Sequence, residues 1–500
     1  MDRVTAAVKP NRRAVLAGLA SLLPSAACAG APAEAPRPPA RPADFSERPE
    51  SRAVVASAGL LEETSFALAD LETGEIIDSY QAGRARPPAS VVKAVTAHYA
   101  LGTLGPAHRF RTRVLATGPI VDGVLEGDLV LAGGGDPALD TDALAALVEQ
   151  LKERGLVRVG GRFIIDDGLQ PLIEQIDPEQ PAHVGYNPSV AALNLNYNRV
   201  LFEWDRKNGA RETRVEARAL RNSPAVDRVR VEVVPQQSDV FSYRRGEGGE
   251  VWSVLERALG REGGRWLPVR SPAAYGGEVF RALAAAEGLS LPPAVAGRAS
   301  TGAVEIAAWR GAPLTETVRG MLKHSTNLTA EALGLAATRR LAEPHGSLRE
   351  SAAAMCRWTY GTEHAVASTL DLRNHSGLSG ASRITPVEMA TILRDAARTA
   401  PAGLPTLLKE LQLAQEGTGA PIRVAAKTGT MNFIRGLGGY LTPPGGRPLV
   451  FAIFAADPGA RDLLAPSQRE RPRGGRAWLG RARAQERALL RLWARQEGTA

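Results

Sequence analysis

Cysteine is nearly missing: Cys28 and Cys356 are the only two in 500 residues, too few for a disulfide framework. Lysine is scarce as well. It stands at positions 9, 93, 152, 207, 323, 409 and 427, against 61 Lys plus Arg in total. The net charge of +8 is therefore carried mainly by isolated arginines, with no long basic block interleaved with aromatics. That pattern gives nucleic-acid recognition no footing and leaves at most a modest attraction to anionic polymers or surfaces. No apolar run reaches the roughly 20 residues that a membrane-spanning helix needs. Histidines 98, 108, 183, 324, 345, 364 and 375 include no i, i+4 pair and no H-E-x-x-H run, which disfavours a zinc hydrolase. What remains is an ordinary folded composition, 44% apolar and 23% charged. The length exceeds what one core usually organises, so two or three domains are expected.

The N-terminus carries a pattern of its own. Lys9, Arg12 and Arg13 precede a short apolar stretch from Ala14 to Ala27, followed by small residues. This is the plan of a bacterial export signal over residues 1–29, and the Arg-Arg pair points to the twin-arginine route. Cleavage after Ala27-Cys28-Ala29 would deliver the protein to the periplasm and leave Cys356 without a partner. The rival reading, a lipidated Cys28, fits less well because Ser25 stands where an aliphatic residue is wanted. Residues 30–44 are rich in Pro and Ala and read as an extended linker, so folding is expected from about Phe45.

Past the linker, "SFALADLETGEIIDSYQAG" alternates apolar and polar residues around a turn, the mark of a hairpin. It leads into Pro87-Pro88 and then a helical stretch in which Ser90 and Lys93 stand at i and i+3, on one helix face. Ser90 in a first helical turn would feel the positive helix end. In a chain so poor in lysine the choice at 93 is informative. An arginine cannot give up its proton, whereas a desolvated lysine can act as a neutral base. Two further segments follow. Ser325-Thr326-Asn327 precedes a long helical pattern, and Lys427-Thr428-Gly429-Thr430 lies on a strand pattern with the apolar run Leu449 to Asp457 as its buried partner.

Each motif alone is common. In this order S-x-x-K, S-x-N and K-T-G form the three-part set of penicillin-binding proteins and serine β-lactamases, and two of only seven lysines fall within it. The wide interval between Ser90 and Ser325, together with "GVLEGDLVLAGGGDPAL", "HVGYNPSVAALNLNYNRV", "NLTAEAL" and "HSGLSGASRITP", narrows the match. From about Phe45 to the C-terminus the chain resembles the D-alanyl-D-alanine carboxypeptidase/endopeptidases of the class C low-molecular-mass penicillin-binding proteins. The resemblance implies an α/β (α+β) fold: a transpeptidase-like domain with an antiparallel sheet flanked by helices, discontinuous over 45–112 and 300–497. Residues 113–299 would form mainly β inserts, with a nested subdomain at about 200–270. The runs "GDLVLAGG", "VGGRFIIDD" and "DRVRVEVVP" are strand signals independent of the family.

The resemblance also implies roles. Ser90 is the expected nucleophile, Lys93 the base that takes its proton, Ser325 a proton relay, and Asn327 an orienting group. Lys427, Thr428 and Thr430 would bind the substrate carboxylate, Gly429 would let the strand approach, and the N–H groups of Ser90 and Thr430 would form an oxyanion hole. Asp166 matches an acidic position that in relatives helps read the free amino end of the peptide's third residue. No cofactor or metal is implied, and the expected partners are peptidoglycan stem peptides and β-lactams. Two departures stand out: Asn374-His375 replaces a common Asp-Gly before Ser376-Gly377-Leu378-Ser379, and Gly380 stands where an Arg often follows. The rival functions are a non-catalytic penicillin-binding wall protein and a β-lactamase-like hydrolase. The closing helix, from about Arg476 to Gln496, sets an apolar stripe against a basic face. Packing on the sheet is the expected use of the stripe, and peripheral membrane contact the alternative.

Overall fold

The computed structural model describes residues 46–207, 210–246, 248–360, 369–399, 403–413, 422–470 and 472–498. The expected export signal and linker lie outside them. The hairpin forms where its alternation predicts it: β1 (Thr64–Asp70) pairs antiparallel with β2 (Ile76–Tyr80), Phe66 opposite Tyr80. Four strands from the far end of the chain complete the sheet, namely β3 (Lys409–Glu410), β4 (Arg423–Met431), β5 (Ile434–Thr442) and β6 (Leu449–Ala456). Their order is β3-β4-β5-β6-β1-β2, antiparallel throughout. The apolar 449–457 run therefore pairs with β5 and β1 rather than with the strand carrying Lys427. Every residue of β1 and β6 is buried, so the sheet is covered on both faces.

Helices supply the covers. On one face lie α1 (Val92–Leu104), α2 (Leu314–His324), α3 (Asn327–Arg340) and α4 (Pro386–Thr399), which share a core with Val450, Ala452 and Phe454 of β6. The first ten residues of α1 are all buried, polar ones included. The other face is closed by α5 (Gly475–Glu497), whose Leu489, Leu490 and Trp493 pack on Phe66, Leu437 and Phe451. Its apolar stripe is used against the sheet, as expected. Among the described residues no helix is long and apolar enough to cross a membrane.

The strands between Arg111 and Arg310 pair with one another in four separate sheets. The largest orders Ala294–Ala296, Phe163–Asp166, Leu129–Ala132, Arg111–Ala116 and Val304–Arg310. They enclose a hydrophobic core of their own, drawn from residues 114–309, with the helices Thr141–Glu153 and Pro272–Ala286. The observed architecture is the expected one: a helix-flanked antiparallel sheet with mainly β inserts.

Trp493 ties the closing helix to the first hairpin. It is fully buried, meets Phe66 edge-on at 5.4 Å between ring centroids, and donates Nε1–H to Asp78 Oδ2 at 2.7 Å. Burial pushes the Asp78 carboxyl up, and the hydrogen bonds from Ser51, Trp493 and the Arg48 amide hold it down. Trp493→Ala both opens a cavity and takes a donor from that carboxylate. It is expected to cost about 3–5 kcal/mol, read as a lowered urea midpoint at unchanged slope.

Candidate active site

The turn after Pro87-Pro88 differs from the expected helix start. Ala89 takes a left-handed φ of 47°, Ala89–Val91 form a 3-10 turn, and α1 begins only at Val92. Ser90 thus sits just before the helix, exposed to the cavity, while Lys93 in the first turn is fully buried. The Lys93 Nζ has three oxygen neighbours. It donates toward Ser90 Oγ at 3.0 Å, Asn327 Oδ1 at 2.7 Å and the Ser376 carbonyl at 2.7 Å. Burial drives its pKa well below the ordinary lysine value, the neighbouring Lys427 lowers it further, and Glu331 opposes both. The result is an amine in contact with a serine hydroxyl and with its proton held less tightly than in an ordinary lysine.

The second motif is made by a helix break. Ser325 closes α2 in the left-handed conformation, φ 57°, and α3 opens at Asn327 after an extended Thr326. Asn327 therefore belongs to the helix itself, and its Nδ2 donates to the Tyr186 carbonyl at 2.8 Å. The third motif comes from β4. Lys427 Nζ reaches Ser325 Oγ at 3.0 Å and the Thr428 carbonyl at 2.7 Å, and burial, with help from Arg435, lowers its pKa to about 8. Thr430 Oγ1 accepts Arg435 Nη1–H at 2.8 Å, while Arg435 forks onto buried Glu486 of α5. With its oxygen held by Arg435, the Thr430 hydroxyl hydrogen is free to turn into the cavity. Thr428 is half-buried on the same strand.

Glycine lets these pieces meet. A Cβ on Gly429 would lie 2.6 Å from the Pro88 carbonyl oxygen and 2.9 Å from the Ser90 amide nitrogen. On Gly377, where φ is +72°, it would fall on the Ala89 carbonyl. Ser90, Ser325, Asn327 and Thr430 line one cavity of about 270 Å³, with Tyr186 and Arg461 on its wall. Among the nine residues singled out, Asp166 is not brought there. Its carboxylate accepts the Gly168 and Ala299 amides and faces Arg298 at 3.4 Å, beside a different cavity lined by Arg109 and Arg339.

Other participants escaped sequence reasoning. Glu331 was findable as the lone acid in "NLTAEALGLAA", a helix buried from Leu328 to Thr338. Arg435 and Glu486 meet only through the tertiary fold. Gly380 has a structural answer: Arg461 Nε would lie 3.0 Å from a Cβ there, so a separate segment puts a guanidinium where a longer residue 380 would reach. His375, in place of the common Gly, is fully buried, bonds Ser351 Oγ through Nε2 at 2.8 Å, and is held near pKa 3 by burial, hence neutral.

Comparison with known proteins shows the family to which the chain belongs. A sequence model of the D-Ala-D-Ala carboxypeptidase 3 (S13) family matches residues 53–472. The chain belongs to that family and is an enzyme of the serine-peptidase class. It is similar to the D-alanyl-D-alanine carboxypeptidase of Actinomadura sp. (strain R39), 28% identical over 431 residues, 77% of this chain and 76% of that one. Carboxypeptidase Rv3627c of Mycobacterium tuberculosis is 26% identical over 476 residues, 87% of this chain and 89% of that one. In fold the chain is similar to penicillin binding protein 4 of Haemophilus influenzae. The TM-score is 0.72 at 20% identity, covering 90% of this chain and 99% of that one.

The two site lysines have different environments and should respond differently to arginine. A guanidinium cannot become neutral, so Lys93→Arg is expected to lower acylation by a chromogenic β-lactam by about 10²–10⁴-fold or more at every accessible pH. Lys427→Arg keeps the charge with altered geometry and should mainly weaken binding while leaving acylation measurable. Stopped-flow acylation, with circular dichroism to confirm folding, separates the two. A Lys93→Arg protein that acylates at the wild-type rate would place the base elsewhere.

Proposed function

We propose that the chain is a serine D,D-peptidase that cleaves the terminal D-Ala-D-Ala bond of peptidoglycan stem peptides through an acyl-enzyme on Ser90. The observation that carries this reading is the buried Lys93 amine 3.0 Å from Ser90 Oγ, held by Asn327 and Ser376. Lys93 takes the Ser90 proton as Oγ attacks the carbonyl carbon between the two D-alanines. The developing oxyanion is stabilised by the amides of Ser90 and Thr430, the Ser90 turn and β4 approaching each other across Gly429. As the C–N bond breaks, the proton taken up by Lys93 passes to the departing amine through Ser325, which is bonded to Lys427, so that Lys93 is neutral again and Ser325 keeps its hydroxyl. Lys427 and the Thr430 hydroxyl attract the terminal carboxylate, and the Thr428 hydroxyl is a further donor on that strand. Water then hydrolyses the ester and returns the proton to Ser90 through Lys93.

Several features support the reading without depending on one another. The relative from Actinomadura is itself a D-alanyl-D-alanine carboxypeptidase, and penicillin binding protein 4 of Haemophilus influenzae has been solved complexed with a β-lactam. The N-terminal signal pattern supports export to the periplasm, where stem peptides are found. The separation of the two hydrophobic cores supports a catalytic unit in two segments around a nested insert, but Val304–Arg310 pairs within the insert's sheet, so the second segment starts after Arg310 rather than at about 300. In this reading Asp166 would act on substrate only through the insert, at a distance from the Ser90 cavity.

Penicillin tests the proposal directly. Its strained amide imitates the D-Ala-D-Ala bond but leaves no amine to diffuse away, so a stable adduct of one drug per chain should map to Ser90 by mass spectrometry. A D-Ala-D-Ala peptide should release D-alanine, and Ser90→Ala should abolish both signals. Rapid release of hydrolysed drug would favour a β-lactamase, and labelling without turnover a wall-binding protein.

A further inference from the structure

A carboxylate lies beneath the base without touching the nucleophile. Glu331 is fully buried one turn after Asn327 on α3, in a stretch where every residue from Leu328 to Thr338 is buried. Its two oxygens accept the backbone N–H groups of His375 and Ser376, each at 2.9 Å. The carbonyl of that same Ser376 takes Lys93 Nζ at 2.7 Å. Helix α3 thus governs two of the three oxygens around the amine, Asn327 directly and Ser376 through Glu331. The turn beyond is fixed too, because the Gly377 amide donates to Asn374 Oδ1 at 2.9 Å.

We infer that Glu331 is a positioning residue for the base: it anchors residues 375–376 so that the Ser376 carbonyl holds Lys93 Nζ against Ser90, and its charge sets how readily Lys93 loses its proton. The inference rests on Lys93 being the base. Two N–H donors aimed at one carboxylate are charge-assisted bonds, and a replacement that cannot accept both leaves a buried donor unmet. The charged groups that face the pair are few. Lys427 from β4 lowers the Lys93 pKa, and Glu331 from α3 raises it. His375 packs alongside but is neutral. Burial pushes Glu331 up to about 7, while the Ser376 and His375 hydrogen bonds and Lys93 pull it down. Glu331 and Lys93 therefore titrate as a coupled pair.

The sign of the electrostatic effect makes the role measurable. Where Glu331 is ionised, replacing it by a neutral amide takes a negative charge from beside Lys93 and lowers the lysine's pKa, so a neutral amine is present at lower pH. In Glu331→Gln the acidic limb of β-lactam acylation should move to lower pH. The plateau rate should fall about 10- to 100-fold as the Ser376 carbonyl loses its anchor. Glu331→Asp keeps the charge but withdraws it by one methylene, so its plateau should fall while the limb stays near the wild-type position. Rates are taken per active site, counted by penicillin titration, so a merely structural role would change the active fraction and leave both quantities unmoved. Wild-type plateau in either folded variant, or an unmoved limb in Glu331→Gln, would overturn the inference. If Glu331→Gln fails to fold, the aspartate variant decides on its plateau alone. Lys93→Arg in the same assay keeps the two readings apart. Wild-type acylation there would sink the base assignment, whereas its loss alongside unchanged Glu331 variants would sink only this one.

Discussion

A lysine removed from water organises the site. Lys93 is fully buried, and its amine finds its partners on chain segments 234 and 283 residues away. An isolated ammonium at that depth would be strongly disfavoured, and the protein answers in two ways. It surrounds the amine with oxygens, and it lowers the proton affinity until the neutral form is accessible. The rest of the local architecture follows from bringing those oxygens together. The α1 helix must run through the interior, the Ser90 turn must press against β4, and the 374–377 turn must fold over both. The sites where a Cβ has no room, at Gly377 and Gly429, are where these segments meet.

The second lysine shows how one residue type supports two tasks. Lys427 is buried less severely and its pKa stays near 8, so it remains largely charged at neutral pH. Its neighbourhood is fixed from the opposite face of the sheet by the buried Arg435–Glu486 pair, which also orients Thr430. Buried ion pairs add little net stability as a rule. The value of this one lies in geometry, since it holds the Thr430 oxygen in place.

Much of this was legible before any coordinates. The hairpin, the β4 strand and the sheet-packing stripe of α5 are local patterns whose periodicity survives in the fold. Of the nine residues singled out, Ser90, Ser325, Asn327 and Thr430 line the cavity, and Lys93 and Lys427 reach them by hydrogen bonds, because the three motifs lie on segments that the fold brings together. What stayed hidden depends on distant segments. The left-handed Ala89 delays α1 until Val92, a decision forced by Gly377 and β4 lying close by. Asp166 ends the strand Phe163–Asp166, and its direction is set by Ala299 and Arg298. Arg461 fills the space beside Gly380 from a segment with no sequence signal linking the two.

The closing helix has an implication for biogenesis. Glu486, which holds Arg435 and through it Thr430, and Trp493, which locks onto the first hairpin 415 positions earlier, both belong to α5. During synthesis the serine, its base and most of the sheet leave the ribosome before that helix exists. The nascent chain therefore carries Ser90 and Lys93 for most of translation without the contacts that fix the Thr430 edge. The contacts that hold Arg435, and through it Thr430, wait for α5 to be made.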